Sequence, residues 1–362
     1  MVDPSPTGTV GVIVNPHAGK DIRRLNSAAG QTSDAVKIGI VQRVLRGAVE
    51  QGADRVVLCT DASALGRQAA DGVAGPIETL RIETTGSRLD TVSAATALRE
   101  AGADCVVVLG GDGTCRDVAS GWLDAPMIAI STGTNNVFPQ PMGGTTAGVA
   151  AALVATGAVS LDEVQRSSKY ISIMTNDADG GLDHDLALVD AALVRTSFVG
   201  ARAVTDPDAI AWVVAATADP AGTGLAGIAG RLHPIDHSQP GGVIIQVGPG
   251  GREVRVPLSP GVFSTIPVRL VTPVGFGQPV ELDGGGVLAF DGERTRPVGA
   301  GSTVCVSVEP AGPRVIDVRA TVTAAARAGC FDRPTGGGRD SGAKAGAETV
   351  RSATTTEDTD GR

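Results

Sequence analysis

The chain is nearly without aromatic side chains: six Phe, two Trp and one Tyr among 362 residues. Its hydrophobic fraction is still 42%, so a large core has to be assembled from Val, Ala, Leu and Ile. Cysteine is sparse as well. Cys59, Cys105, Cys115, Cys305 and Cys330 include no Cys-x-x-Cys pair and are odd in number. That excludes a disulfide framework and a cysteine zinc site, and points to a reducing compartment. Residues 1–9 lack a basic stretch followed by an apolar one, and no apolar run approaches the length of a membrane span. Neither a signal peptide nor a transmembrane helix is expected, and a cytoplasmic location is. The net charge of −9 argues against nucleic acid or an anionic membrane as partner. Several catalytic signatures are also missing: Gly-x-Ser-x-Gly, the P-loop, and a Gly-x-Gly-x-x-Gly turn after the first strand. Of the four histidines, only His233 and His237 are closely spaced, and both read as loop residues.

Glycine is abundant, with 50 residues. The most informative are in Val106-Val107-Val108-Leu109-Gly110-Gly111-Asp112-Gly113-Thr114. The apolar run predicts a buried strand of a parallel sheet, followed by a helix over residues 114–122. Gly110, Gly111 and Gly113 would let the backbone approach a ligand and take up positive φ. Asp112 would lie just outside the carboxyl end of the strand, where open α/β sheets bind ligands. Thr114 offers a hydroxyl and the first free N–H groups of a helix, suited to an anion. The alternative is a tight βα turn with a solvated Asp. Cys115, at the helix start, is either a reactive thiol or simple packing.

The periodicity predicts strands over 9–14, 55–59, 77–82, 105–109 and 127–131. It predicts helices over 36–49, 62–73, 87–101 and 143–158. This alternation specifies a parallel sheet with helices on both faces. Three strands end in polar, glycine-bearing loops: 15–20, 110–114 and 132–136. In a parallel sheet all three share one edge, so a common ligand site is expected there. Asn15 suits a nucleotide or an Asx turn; Lys20, a phosphate or solvent. Thr134, Asn135 and Asn136 suit a ribose and phosphates, or an Asx-rich turn. After residue 165 the pattern turns to short strands separated by Gly, Pro and Asp, which predicts an all-β, sandwich-like domain. One helix is expected over 207–216, and residues 322–328 form a last helix or strand returning to the first domain. The expected organisation is an α/β domain over 1–160, a β domain over 161–333 and a disordered tail over 334–362.

The order Asn15-Pro16-x-x-Gly19, Gly110-Gly111-Asp112-Gly113-Thr114, Gly133-Thr134-x-Asn136 and Asp291-Gly292-Glu293 resembles the superfamily of NAD kinases, diacylglycerol kinases and sphingosine kinases. Residues 15–25 and 131–139 are most similar to its acetoin catabolism protein X branch. The resemblance implies an α/β domain followed by a β sandwich, phosphoryl transfer from ATP to a hydroxyl, and a homo-oligomer. It implies NAD or a related nucleotide as acceptor. A lipid or sphingoid acceptor, or a catalytically weak nucleotide-binding regulator linked to acetoin catabolism, are the alternatives. In this scheme Asp112 is the general base or a Mg²⁺ ligand. Gly110, Gly111, Gly113 and Thr114 cradle phosphates, with Asn15, Lys20, Thr134, Asn135 and Asn136 around the nucleotide. Asp190 holds the acceptor ribose, unless it is an outward strand residue. Asp291 and Glu293, in a hairpin-turn sequence, bring a second carboxylate pair, with Glu293 the other candidate for Mg²⁺. Val189 stands where the NAD kinases carry Asn, and 222–230 lacks the Ser and Tyr of their later motif.

Overall fold

The computed structural model describes residues 7–19, 32–133, 136–177, 180–196, 206–259, 261–299 and 301–332. Residues 334–362, read as a disordered tail, lie outside them.

The first half alternates strand and helix. β1 (Thr9–Val14) is buried along its whole length, as a strand covered on both faces must be. Then follow α1 (Asp34–Glu50), β2 (Arg55–Cys59), α2 (Leu65–Ala70), β3 (Ile77–Leu80), α3 (Arg88–Glu100), β4 (Cys105–Gly110), α4 (Asp112–Gly121), β5 (Pro126–Ser131) and α5 (Gly144–Ala155). Ser33 and Ser87 cap α1 and α3, accepting the Val36 and Leu89 N–H groups. α2 is shorter than its apolar pattern predicts. The Asp61 carboxylate takes the N–H groups of Ser63, Leu65 and Gly66, so the chain makes a side-chain-closed turn before the helix can start. α1 packs against α5 through small residues. A Cβ on Gly148 would lie 2.1 Å from the Val44 carbonyl oxygen, so only glycine lets the two backbones approach this closely.

The second half is mostly antiparallel sheet, introduced by the short helix α6 (Leu161–Val164). Its elements are β6 (Gln165–Ser167), β7 (Tyr170–Asn176), β8 (Leu182–Ala187), β9 (Asp190–Val194), β10 (Ile210–Ala215), α7 (Gly224–Leu232), β11 (Gly242–Ser259), β12 (Val262–Val274), β13 (Val280–Leu282), β14 (Gly286–Phe290), β15 (Glu293–Val298) and β16 (Thr303–Glu309). Sheets of order β12-β11-β10-β9-β14-β15 and β13-β16-β7-β8 enclose a common core that includes Ile171, Ile173, Leu193, Val214, Leu288 and Val306.

Two expectations are corrected here. Residues 207–216 do not form a helix: Ile210–Ala215 is a fully buried strand paired antiparallel with β9 and β11. A short run of apolar residues buried all round has no period to distinguish the two states, and the β-branched and aromatic residues of Ile-Ala-Trp-Val-Val-Ala favour the strand. The helix lies further on, as α7, in the glycine-rich stretch 222–230. The break at residue 160 is also too simple. β17 (Arg314–Ile316) pairs parallel to β5 and antiparallel to β6, so the first sheet runs β3-β2-β1-β4-β5-β17-β6. The last helix, α8 (Val318–Arg327), packs against α5. Two strands from beyond residue 160, β17 inside the sheet and β6 at its edge, therefore complete the α/β sheet and tie it to the sandwich. Among the described residues no helix is long and apolar enough to cross a membrane.

Candidate functional site

The parallel register of β1, β4 and β5 brings the three polar loops to one edge of the sheet. They touch. Asn15 Oδ1 accepts the His17 N–H at 2.8 Å, and its Nδ2 donates to Thr114 Oγ1 at 2.9 Å. Thr114 Oγ1 also accepts the Gly111 N–H at 3.4 Å, closing the first turn of α4. Asn15 and Thr114 are thus partners of each other, and Thr114 is buried. Their pairing staples the first loop to the second.

The glycines of the second loop act by size. Gly110, Gly111 and Gly113 are absent from the positive-φ positions, and Gly111 has φ −111°, so the expected left-handed backbone is not adopted. A Cβ on Gly110 would stand 2.4 Å from Thr114 Cβ, and one on Gly111 would stand 3.0 Å from Asn136 Oδ1. The glycines make room for the two side chains that build the loop.

Asp112 is the first residue of α4 rather than a turn residue before it. Its Oδ1 accepts the N–H groups of Val137 at 3.1 Å and Phe138 at 2.8 Å, and its Oδ2 lies 3.1 Å from the Val137 nitrogen. Asn136 in turn donates to Ser131 Oγ at 2.8 Å. The carboxylate therefore holds the third loop across the start of α4. Thr134 and Asn135, and likewise Lys20, lie outside the described residues. Lys37, which the sequence reading passed over, is wholly buried and donates from Nζ to the Pro16 carbonyl at 2.6 Å. Its spacing to Val41, Val44 and Leu45 puts a charge on the apolar stripe of α1, and that was the available signal. It fixes the loop that carries Asn15.

The other carboxylates lie on the sandwich side of α4. Asp291 and Gly292, with φ of 49° and 78°, form the two-residue turn between β14 and β15. Such Asp-Gly turns match the twist of a hairpin. The Asp291 carboxylate is buried and accepts the N–H groups of Leu188, Val189 and Asp190, the last at 3.4 Å. Burial pushes it up to about 6, against the pull of Arg116 and of those N–H groups. Arg116 is itself buried on α4, donating to the Phe290 carbonyl at 3.0 Å and pairing with Asp117 at 3.1 Å. Asp190 is buried too. Its Oδ2 accepts the Ala226 N–H in the first turn of α7 and its Oδ1 accepts the Gly292 N–H. An outward orientation for Asp190 is thereby overturned: a carboxylate inside a strand that is buried on both faces has to find N–H donors. Val189 packs into the core shared with α4. The Glu293 side chain lies outside the described residues. Cys115, between these carboxylates, is fully buried, and burial reinforced by Asp112, Asp291 and Asp117 pushes its thiol well up. The reactive-thiol reading is overturned, since only the thiolate is nucleophilic.

Among the described residues no three His, Cys, Asp or Glu side chains group as a metal site. Asp112 faces main-chain N–H donors, which repel a cation.

Residues 10–158 match the ATP-NAD kinase N-terminal domain family, and residues 169–311 match the acetoin catabolism protein X C-terminal domain family. The chain is 34% identical over 331 residues to acetoin catabolism protein X of Cupriavidus necator, covering 88% of this chain and 92% of that protein. An uncharacterized protein of Archaeoglobus fulgidus is 35% identical over 130 residues, covering 36% of each. In fold, the chain is similar to yeast NADH kinase crystallised with NADH, with a TM-score of 0.51 and 13% identity, covering 89% of this chain and 87% of that one.

Proposed function

We propose that this chain, which belongs to the acetoin catabolism protein X family, is a kinase that transfers a phosphoryl group from ATP to a hydroxyl of NAD or a related nucleotide. The observation that carries the reading is the stapling of the three loops at the carboxyl edge of β1, β4 and β5. The start of α4 lies among them. Its N–H groups and those of the glycine loop are the donors available to a triphosphate. Phosphoryl transfer asks mainly for such positioning and charge neutralisation, with a base to accept the hydroxyl proton. Asp112 is the carboxylate at that edge. Its bonds to Val137 and Phe138 fix its direction against the third loop. A divalent ion in this reaction arrives with the nucleotide's phosphates, because the described side chains build no cage for one.

A second reading is favoured by a separate observation. On the sandwich side, Asp190 and Asp291 already accept main-chain N–H groups, and Val189 is in the core. The polar groups expected to hold an acceptor ribose serve the fold. A nucleotide-binding protein without turnover needs only the loop side. Mass analysis of products after incubation with ATP, Mg²⁺ and a panel of NAD, NADH and diacylglycerol separates the two. A phosphorylated nucleotide supports the kinase. Calorimetric ATP binding with no phosphorylated product from any acceptor removes it in favour of the second reading. A phosphorylated lipid replaces the nucleotide with a lipid acceptor.

A further inference from the structure

A cavity of about 460 Å³ lies between β5, the segment after it, β6, β17 and α8. Its walls are mainly apolar, from Ala129, Phe138, Met142, Val315, Val318 and Val322. Three charged residues also line it: Arg166, Arg319 and Asp317. Two are positive and one negative, a local excess of positive charge in a chain whose net charge is −9.

Arg166 is the unusual member. It is on β6, opposite Val315 of β17, and is half-buried. Among the described residues its guanidinium has no hydrogen bond and no ion pair within 4.0 Å. Burial disfavours its charge, and Asp317 is the carboxylate that offsets this. Asp317 is otherwise committed: it is exposed, and its Oδ1 caps α8 by accepting the Ala320 N–H at 2.8 Å. A guanidinium presents five donors in a planar fork matched to a carboxylate or phosphate. Withdrawing it from water without such a partner is unfavourable.

We propose that this cavity binds a small amphipathic anion, with its carboxylate or phosphate head on Arg166, assisted by Arg319, and its apolar body against the Phe138–Val322 walls. The volume is in the range of small-molecule sites, and the few polar groups among apolar walls are the usual lining of one. The site is distinct from the phosphate loops, and the proposal does not depend on the kinase reading. Phe138 adjoins both places: it lines the cavity, and its N–H holds Asp112.

The test is calorimetric titration of the full chain with decanoate, decyl phosphate, decanol and inorganic phosphate. Both anionic chains bind, and decanol and inorganic phosphate bind about tenfold or more weakly, the scale of one charge-assisted contact or of lost apolar burial. A preference between the two anions identifies the head group and supports the site in either direction. Arg166→Gln brings the anions to the level of decanol. Val322→Trp fills the cavity and removes binding of all the chain-bearing probes, with a melting temperature near the parent's showing that the fold is kept. Decanol binding as tightly as decanoate overturns the proposal. So does anion binding that survives Val322→Trp, or that ATP competes away.

Discussion

The two sides of α4 use carboxylates for different ends. On the sheet-edge side, Asn15, Asp112 and Asn136 are half-buried, and their hydrogen bonds run within and between the loops. On the sandwich side, Asp190 and Asp291 are at most 7% exposed, and their bonds run to main-chain N–H groups of strands and of a helix start. A half-buried carboxylate at a helix start can exchange one partner for a substrate. A carboxylate that satisfies several buried N–H groups cannot leave them without stranding donors, at about 1–3 kcal/mol each. In the proposed reaction the chemistry belongs to the loop side, and the sandwich side holds α4 through Arg116, which donates to the Phe290 carbonyl.

The sharpest way to break this comparison is Asp112→Asn. Loss of a positioned base costs about 10²–10⁴-fold in turnover. The amide also turns one N–H group toward the Val137 and Phe138 donors, so the loop loosens. Single-turnover kinetics with ATP should show that loss, whereas an unchanged rate would leave Asp112 only a loop staple.

Asp291→Asn is next, and it is predicted to affect stability rather than chemistry. The folded-state value of about 6 exceeds the ordinary value of 3.8. The native state thus holds its proton more tightly than the unfolded chain. Its stabilising share is complete below about pH 4 and is lost as pH rises through about 6. Above that, the ionised buried group costs about 3 kcal/mol by the same conversion. Urea melts from pH 4 to 8 should show the parent losing stability relative to Asp291→Asn across this window. Parallel curves would contradict the burial argument.

Lys37→Met removes the donor from the Pro16 carbonyl while keeping the apolar stem. An unpaired buried carbonyl costs about 1–3 kcal/mol. Weaker ATP binding than in the parent, measured by calorimetry at a temperature where both are folded, would show that the Asn15 loop needs this anchor. The smallest expected effect on activity comes from Val189→Asn, which restores the residue type of the NAD kinases. Because Val189 is 1% exposed in the core beside α4, the amide should lower stability by about 1–3 kcal/mol and add no activity toward NAD. A gain with NAD would show that this strand faces substrate after all.

Much of this was legible in the residues. The strand ends at Val14, Gly110 and Ser131 follow from apolar runs closed by Asn-Pro, Gly-Gly and Thr-Gly, and their convergence follows from the βα alternation. The Asp291-Gly292 hairpin is written in two residues, because few sequences tolerate two consecutive positive φ values. What was misread has a common cause. The strand Ile210–Ala215 has no period, and so mimics a helix. The glycines at 110 and 111 were assigned to backbone freedom, when the side chains of Thr114 and Asn136, one of them 25 residues away in the chain, are what exclude a Cβ. Nothing local announces that β17, at the far end, inserts beside β5.

The sequence by itself determined the order of elements, the composition of the core and the edge where the polar loops meet, because these rest on periodicity and on turn residues acting within a few positions. The tertiary structure alone decided which carboxylate stands half-buried at the loop edge and which are consumed by the buried strands. Asp112, Asp190 and Asp291 are equivalent on paper. They differ because long-range packing supplies each with different N–H donors and a different depth, and the roles of charged groups follow those surroundings.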